Sequence, residues 1–274
     1  MTSSVLVRLD GPMQSWGDKP RGAYRSSHTR PTKSGVIGLV ANALGRDYTD
    51  PVDDLAAMHF AVRVDRAGHI EIDYHTTGSG TYPLLPGGVY ADATLRKKAR
   101  NRDPRDPDFG FIYAPPASVA RDKTGELVAK PGNTNQTRDR YLADASFLVA
   151  LTGDDTLTET VNTALTSPAR AVFLGRKAYL PTQPLSAGLV TDIDSSDPFA
   201  ALRTAPRSTR SDSGPLHAWA DTVPGSAGSV VVHDQPISYA GTRQRGARAE
   251  THTTLTPPEP VTEVGYDFFQ EAAP

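Results

Sequence analysis

The sequence predicts an α+β fold built on a ferredoxin-like, RNA-recognition-motif-like sheet, and three observations carry that prediction. Apolar alternation marks strands at residues 5–9, 60–64, 70–74 and 141–151, with a further apolar run at 171–174. Helical periodicity falls at 33–44 and again after 154. The resulting order is strand, helix, hairpin, long insert, strand, helix, strand, which matches the ferredoxin-like order with an excursion after the hairpin.

Val5-Leu6-Val7-Arg8-Leu9 reads as the first strand, stopped by Asp10-Gly11-Pro12. Glycines, prolines and a serine pair break every pattern over 17–31, so that stretch is read as loop. Thr32 is an N-cap for the first helix, Val36, Ile37, Val40 and Leu44 line its apolar face, and Gly45 stops it. Phe60, Val62 and Val64, then Ile70, Ile72 and Tyr74, alternate with polar residues. Joined by Arg66-Ala67-Gly68, these runs are expected to form a hairpin with one face buried. Periodicity then fails over 78–135, and so long an irregular insert in a compact domain points to function or binding.

Order returns with the strand at 141–151. Asp154 or Asp155 caps a helix whose Leu157, Val161 and Leu165 share a face, and the strand at 171–174 ends at Gly175-Arg176-Lys177. Residues 181–214 read as loop, 229–233 and 236–239 as a small β-rich C-terminal part, and 259–274 as an exposed tail. The division expected is residues 1–190, carrying the insertion at about 78–138, followed by 191–274. No internal repeat is visible.

A chain of 274 residues can bury a substantial core. It has no cysteine, which excludes disulfides, thiolate metal sites and thiol nucleophiles. The apolar stretch near the N-terminus is too short for a signal-peptide core or a membrane span, so a cytoplasmic protein without membrane contact is expected. Net charge is −2, which argues against indiscriminate nucleic-acid binding, but its distribution is uneven. Residues 1–34 hold six cations against two anions, and residues 96–140 hold eleven against six. Arginine outnumbers lysine 22 to 7, and the planar guanidinium suits phosphates and base faces. Local basicity in a near-neutral chain suits a subunit with one face on nucleic acid and others on protein. A solvated arginine surface from a biased genome accounts for the same composition.

Four groups of residues could carry chemistry. At the first helix, the N–H groups of Lys33 and Ser34, the charges of Arg30 and Lys33, and the small Gly35 offer a place for an anion, the obvious one being a nucleic-acid phosphate. An ordinary capped helix with two surface cations fits equally. The spacing is not that of a nucleotide-hydrolysing phosphate loop. Where the first strand ends, Trp16 could stack a base and Gln14 or Ser15 could read an edge or a 2′-hydroxyl, unless Trp16 is core. Gly175-Arg176-Lys177 is a second small cationic turn. Within the insert, Arg96, Lys97, Lys98 and Arg100 form a basic cluster. For catalysis, Tyr24, His28 and Lys33 could supply the base, acid and cation of a metal-independent ribonuclease, with His75 at a strand end as a further contributor. The seven histidines lack metal-ligand spacing, and no cofactor is expected.

Several motifs recur in order: Gly11-Pro12-Met13-Gln14-Ser15-Trp16-Gly17, Arg30-Pro31-Thr32-Lys33-Ser34-Gly35-Val36-Ile37-Gly38, residues 60–65 with Asp73-Tyr74-His75-Thr76, and Phe173-Leu174-Gly175-Arg176-Lys177. In these the chain resembles the fifth family of CRISPR-associated proteins, of the RAMP superfamily, over about residues 4–190. The resemblance is to the subunit of the type I-E surveillance complex Cascade. It implies one modified RNA-recognition-motif domain with a protruding β-hairpin thumb and a small β-rich C-terminal part. It also implies a non-catalytic role: capping the 5′ handle of the CRISPR RNA beside the backbone subunit and the large subunit, with target DNA met only indirectly. The handle groove expected from residues and resemblance together comprises Gln14, Ser15, Trp16, Gly17, Arg25, Arg30, Thr32, Lys33, Ser34, Gly35, His75, Arg176 and Lys177, with Arg96 and Lys97 on the thumb. Relatives in type I-C cut precursor RNA with a Tyr/Lys/His set, which keeps an endoribonuclease based on Tyr24, His28 and Lys33 open as the alternative. A protein-only scaffold also stays open.

Overall fold

The computed structural model describes residues 2–17, 24–77, 119–121, 127–129, 135–194, 196–241 and 243–260. Most of the expected thumb, with Arg96, Lys97, Lys98 and Arg100, and the tail from 261 lie outside the described residues. In chain order the elements are β1 (Thr2–Gln14), β2 (Tyr24–Arg25), α1 (Lys33–Ala43), α2 (Asp53–Ala57), β3 (His59–Arg66), β4 (His69–Thr77), β5 (Val119–Arg121), β6 (Leu127–Ala129) and β7 (Asn135–Asp154). Then follow α3 (Asp155–Thr166), β8 (Ser186–Val190), α4 (Ala200–Thr204), β9 (Leu216–Thr222), β10 (Val230–Ser238) and β11 (Gln244–Leu255). The chain divides into two compact units, one of Met1–Pro20, Ser26–Glu71 and Arg140–Pro274, the other of Arg21–Arg25 and Ile72–Asp139.

The first unit is a mostly antiparallel sheet in the order β10-β11-β9-β3-β7-β1-β8. Side-chain alternation assigns its two faces. Val5, Val7 and Leu9 of β1, Phe60 and Val62 of β3, and Phe147 and Val149 of β7 bury against α1 and α3 through Val36, Ile37, Val40, Val161 and Leu165. Leu6, Ala61, Leu148 and Ala150 face the other way and meet Phe199 and Leu202 around α4, with Ala218 and Ala220 of β9. Two helix caps form as the sequence predicts: Thr32 Oγ1 accepts from the Gly35 N–H at 3.2 Å, and an Asp154 carboxylate oxygen accepts from the Leu157 N–H at 3.1 Å.

Several expectations are corrected. The runs at 60–64 and 70–74 are strands, but they do not pair with each other as a hairpin. β3 has β7 on one side and β9 on the other, and β4 also pairs with β7. Gly68 (φ +64) passes so close to Ala143 O that a Cβ would sit 2.4 Å away, so Arg66-Ala67-Gly68 is an irregularity between two strands that share one partner. Nor is the face of β4 that carries Ile70, Ile72 and Tyr74 buried; all three are exposed.

The apolar run at 171–174 is a loop whose last residue plugs the core, while Ala171 is exposed and Val172 and Phe173 are half-buried. Leu174 is fully buried, its carbonyl takes the Ser15 N–H at 3.0 Å, and its own N–H reaches Tyr179 O at 2.7 Å. The strand that pairs with the free edge of β1 is β8, from the stretch read as loop, and a bulge between Val5 and Val7 accommodates it. β1 itself does not stop at Asp10-Gly11-Pro12. It pairs with β7 as far as Gln14 opposite Leu142, stepping over the exposed Pro12.

In the second unit β2 runs parallel to the start of β7, with Tyr24 opposite Arg138 and Arg25 opposite Asp139. β5 and β6 form an antiparallel pair, Val119 opposite Ala129.

Candidate nucleic-acid interface

The turn after β1 is built inward. Gln14 is fully buried, and its amide donates to Leu9 O and Ala145 O at 2.9 Å each. Its carbonyl oxygen accepts from the Trp16 indole N–H at 3.1 Å. Trp16 is 2% exposed and lies in the core against Gly35. Ser15 is buried, and its hydroxyl lies 3.5 Å from Arg140 O. The Gly17 carbonyl accepts from Arg245 at 3.3 Å. An indole that needs an N–H acceptor and 98% cover finds both in Gln14 and α1, so the turn fixes how β1 leaves the sheet.

The start of α1 does hold an anion, and it belongs to the chain. Asp234 of β10 accepts the Lys33 backbone N–H at 2.8 Å, and Asp221 of β9 accepts the Lys33 ammonium at 2.9 Å. Arg248 of β11 joins both carboxylates, at 2.6 Å to Asp234 and 2.8 Å to Asp221, and reaches Glu250 at 3.0 Å. Arg30 pairs with Glu250 and lies over the Trp219 ring, 4.6 Å from its centroid. Lys33 is 4% exposed, Thr32 and Ser34 are equally covered, and the Tyr239 hydroxyl donates to Ser34 O.

Burial works to raise the pKa of Asp234. The Arg248 hydrogen bonds and charge, the Lys33 N–H and Arg30 outweigh it and hold the carboxyl below its usual value. Burial also drives the Tyr239 phenol upward, against the nearby Arg245 and Arg243.

Outward-facing cations lie elsewhere in the first unit. Gly175, at φ +90, lets the 175–177 turn press onto Ser15, where a Cβ would sit 1.7 Å from Ser15 O. Arg176 is half-buried over the Tyr179 ring and donates to Tyr179 Oη at 3.2 Å and Arg140 O at 3.4 Å. Lys177 and Arg140 are exposed. The turn therefore presents two cations, with Arg140 of β7 and Tyr179 beside Arg176, on backbone geometry that favours glycine at its first position.

In the second unit, Tyr24 (70% exposed) and Tyr74 (52% exposed) flank Arg138, whose guanidinium lies 5.9 Å and 6.0 Å from the two ring centroids. Arg25 pairs with the buried Asp139 at 3.6 Å, and the exposed His75 approaches Asp73 at 3.4 Å. Two exposed rings with a cation between them are what base stacking requires.

The structure thus groups Gln14, Trp16, Thr32, Lys33, Ser34 and Gly35 in the interior of the first unit. It brings Arg176 and Lys177 together at its surface and places Arg25 and His75 in the second unit. His28 is exposed and bridges to Trp16 through its backbone, while the Lys33 ammonium is held by Asp221. Arg138, Arg140, Tyr74 and Tyr179 were not singled out from sequence. The cation excess over 96–140 was the available signal for the two arginines, but nothing local separated them from their neighbours.

A family model described as CRISPR-associated protein (Cas_Cas5) matches residues 4–252. The CRISPR system Cascade subunit CasD of Escherichia coli (strain K12) is 30% identical over 208 residues, covering 74% of this chain and 76% of that protein. A chain of a CRISPR RNA-guided surveillance complex superposes with a TM-score of 0.64 at 28% identity, covering 93% of this chain and 91% of that one. A crystal structure of a Cas protein superposes with a TM-score of 0.61 at 28% identity, covering 94% of this chain and 98% of that one. A match that begins in β1, takes in α1 and the carboxylates that hold Lys33, and ends in β11 places the whole sheet in one family: the chain belongs to the Cas5 family of CRISPR-associated proteins.

Proposed function

We propose that this chain is a non-catalytic RNA-binding subunit of a type I-E Cascade complex, capping the 5′ handle of the CRISPR RNA beside the backbone and large subunits. The observation that carries this reading is the likeness to CasD over about three quarters of either chain. The antiparallel order β8-β1-β7-β3 supports a ferredoxin-like RAMP domain, and the β5–β6 pair supports a hairpin thumb in the insertion. The outward groups take the direct contacts. Tyr24, Arg138 and Tyr74 stack and neutralise unpaired nucleotides, while Arg140, Arg176 and Lys177 meet phosphates. Gln14, Trp16, Thr32, Lys33, Ser34 and Gly35 act by fixing the strand exit and helix that carry the surface. Arg25 and His75 contribute charge in the second unit, and Arg96 and Lys97 serve the thumb.

The test is assembly of the complex with CRISPR RNA. Arg138→Glu combined with Lys177→Glu is expected to weaken handle binding by about tenfold or more, since charge-assisted hydrogen bonds are each worth roughly 1.5–3 kcal/mol. Tyr74→Ala is expected to cost about 1–3 kcal/mol. Unchanged RNA retention in the double variant overturns the proposed surface. Site-specific cleavage of repeat RNA in EDTA, lost on His28→Ala, overturns the non-catalytic assignment.

A further inference from the structure

On the sheet face opposite α1, a cavity of about 490 Å³ opens between β1 and the segment that follows α4. Its floor is apolar, made by Leu6, Leu148, Ala187 and Ala205. Its wall is cationic: Arg8 from β1, with Arg207 and Arg210 from the following segment. Asp10 is the one carboxylate among the described lining residues, and Arg210 already pairs with it and with Asp144.

The other two guanidiniums are less well satisfied. Arg8 is half-buried and has no side-chain hydrogen bond or ion pair among the described residues. The Arg207 side chain is only 9% exposed, and its buried Nε has no hydrogen-bond partner. Its terminal nitrogens go to the carbonyls of Asp212 and Gly214 at 3.3 and 3.1 Å, which offer no neutralising charge. That same Nε faces the Glu259 carboxylate at 3.7 Å, an ion pair that is weak because Glu259 is 81% exposed.

A cationic wall with a single carboxylate, already paired to Arg210, over an apolar floor suits a ligand that is anionic at one end and apolar at the other. The fork of a guanidinium matches phosphate oxygens, and the volume suits a small organic molecule rather than a bare ion. We propose that this cavity binds a nucleoside phosphate, its ring system on Leu6 and Leu148 and its phosphate on Arg8 and Arg207. The site shares no residue with the surface assigned to the CRISPR RNA, so the two assignments stand or fall separately.

The test titrates the full chain by calorimetry with adenosine monophosphate, adenosine and a short single-stranded oligoadenylate. Adenosine monophosphate is expected to bind saturably and adenosine about tenfold or more weaker. Arg8→Met is expected to lower nucleotide affinity about tenfold while leaving the melting temperature in place, because Arg8 holds nothing else. Ala187→Phe, which fills the floor, is expected to abolish binding, and Lys177→Glu to leave it unchanged. If the oligoadenylate displaces the nucleotide in an Arg8-dependent way, the natural ligand is a nucleotide within RNA; if it does not, the ligand is a free nucleotide. Absence of saturable binding, equal affinity for adenosine, or binding indifferent to both cavity substitutions overturns the proposal.

Discussion

Arg63 shows how a single residue can organise a segment. It has no exposed surface, and its guanidinium uses every direction open to it: Asp65 at 2.6 and 3.0 Å, and the carbonyls of Leu202, Ala205 and Pro206 at 2.7, 2.7 and 2.8 Å. These bonds terminate α4 and aim the following segment. Arg63→Met would strand Asp65 and three carbonyls, and a loss of about 3–5 kcal/mol in chemical denaturation is expected.

Asp234 gives a second residue-scale prediction, with a pH signature. Its folded pKa lies below the unfolded value, so its contribution is present above the ordinary carboxylate range and is lost as pH falls through the folded pKa. Asp234→Asn is expected to lower stability at neutral pH and to flatten the acid-unfolding curve below about pH 4. An acid limb identical to that of the parent chain would contradict this.

Among the elements, the 175–177 turn depends on its first residue. Gly175→Ala forces an unfavourable φ and drives a methyl into Ser15 O, for an expected cost of about 2–4 kcal/mol. Because that turn carries Arg176 and Lys177, RNA retention should fall further than stability alone explains. α1 was legible because its signals are local: a cap, an apolar stripe and a terminal glycine. The 171–174 run misled because four apolar residues in a row mark neither a strand nor full burial: only Leu174 enters the core, held there by loop hydrogen bonds. β8, with Ser186 and Gly188 in five residues, is a strand because the edge of β1 was open.

In the first unit as a whole, the C-terminal strands are structural partners of the N-terminal half. β9 closes the edge of β3, and β9, β10 and β11 deliver the three carboxylates that neutralise Lys33, Arg30 and Arg248. A chain ended before Leu216 loses both. It is expected to fail to give cooperative unfolding by circular dichroism, and a transition as sharp as that of the full chain would contradict this.

The basic groups at 30–33 were visible in the sequence, but their partners lie some two hundred positions away. No spacing rule reports which carboxylate a lysine will meet, and the surface cation expected at Lys33 therefore proved to be an internal one. What the sequence alone determined was the first helix and its caps, the strand content of β1, β3, β4 and β7, and the likeness to the Cas5 family. These rest on local periodicity and short motifs. Only the tertiary structure decided which strands pair, which charges are spent inside, and that Arg138 lies between Tyr24 and Tyr74, because pairing edges, burial and charge neutralisation are settled between segments distant in the chain.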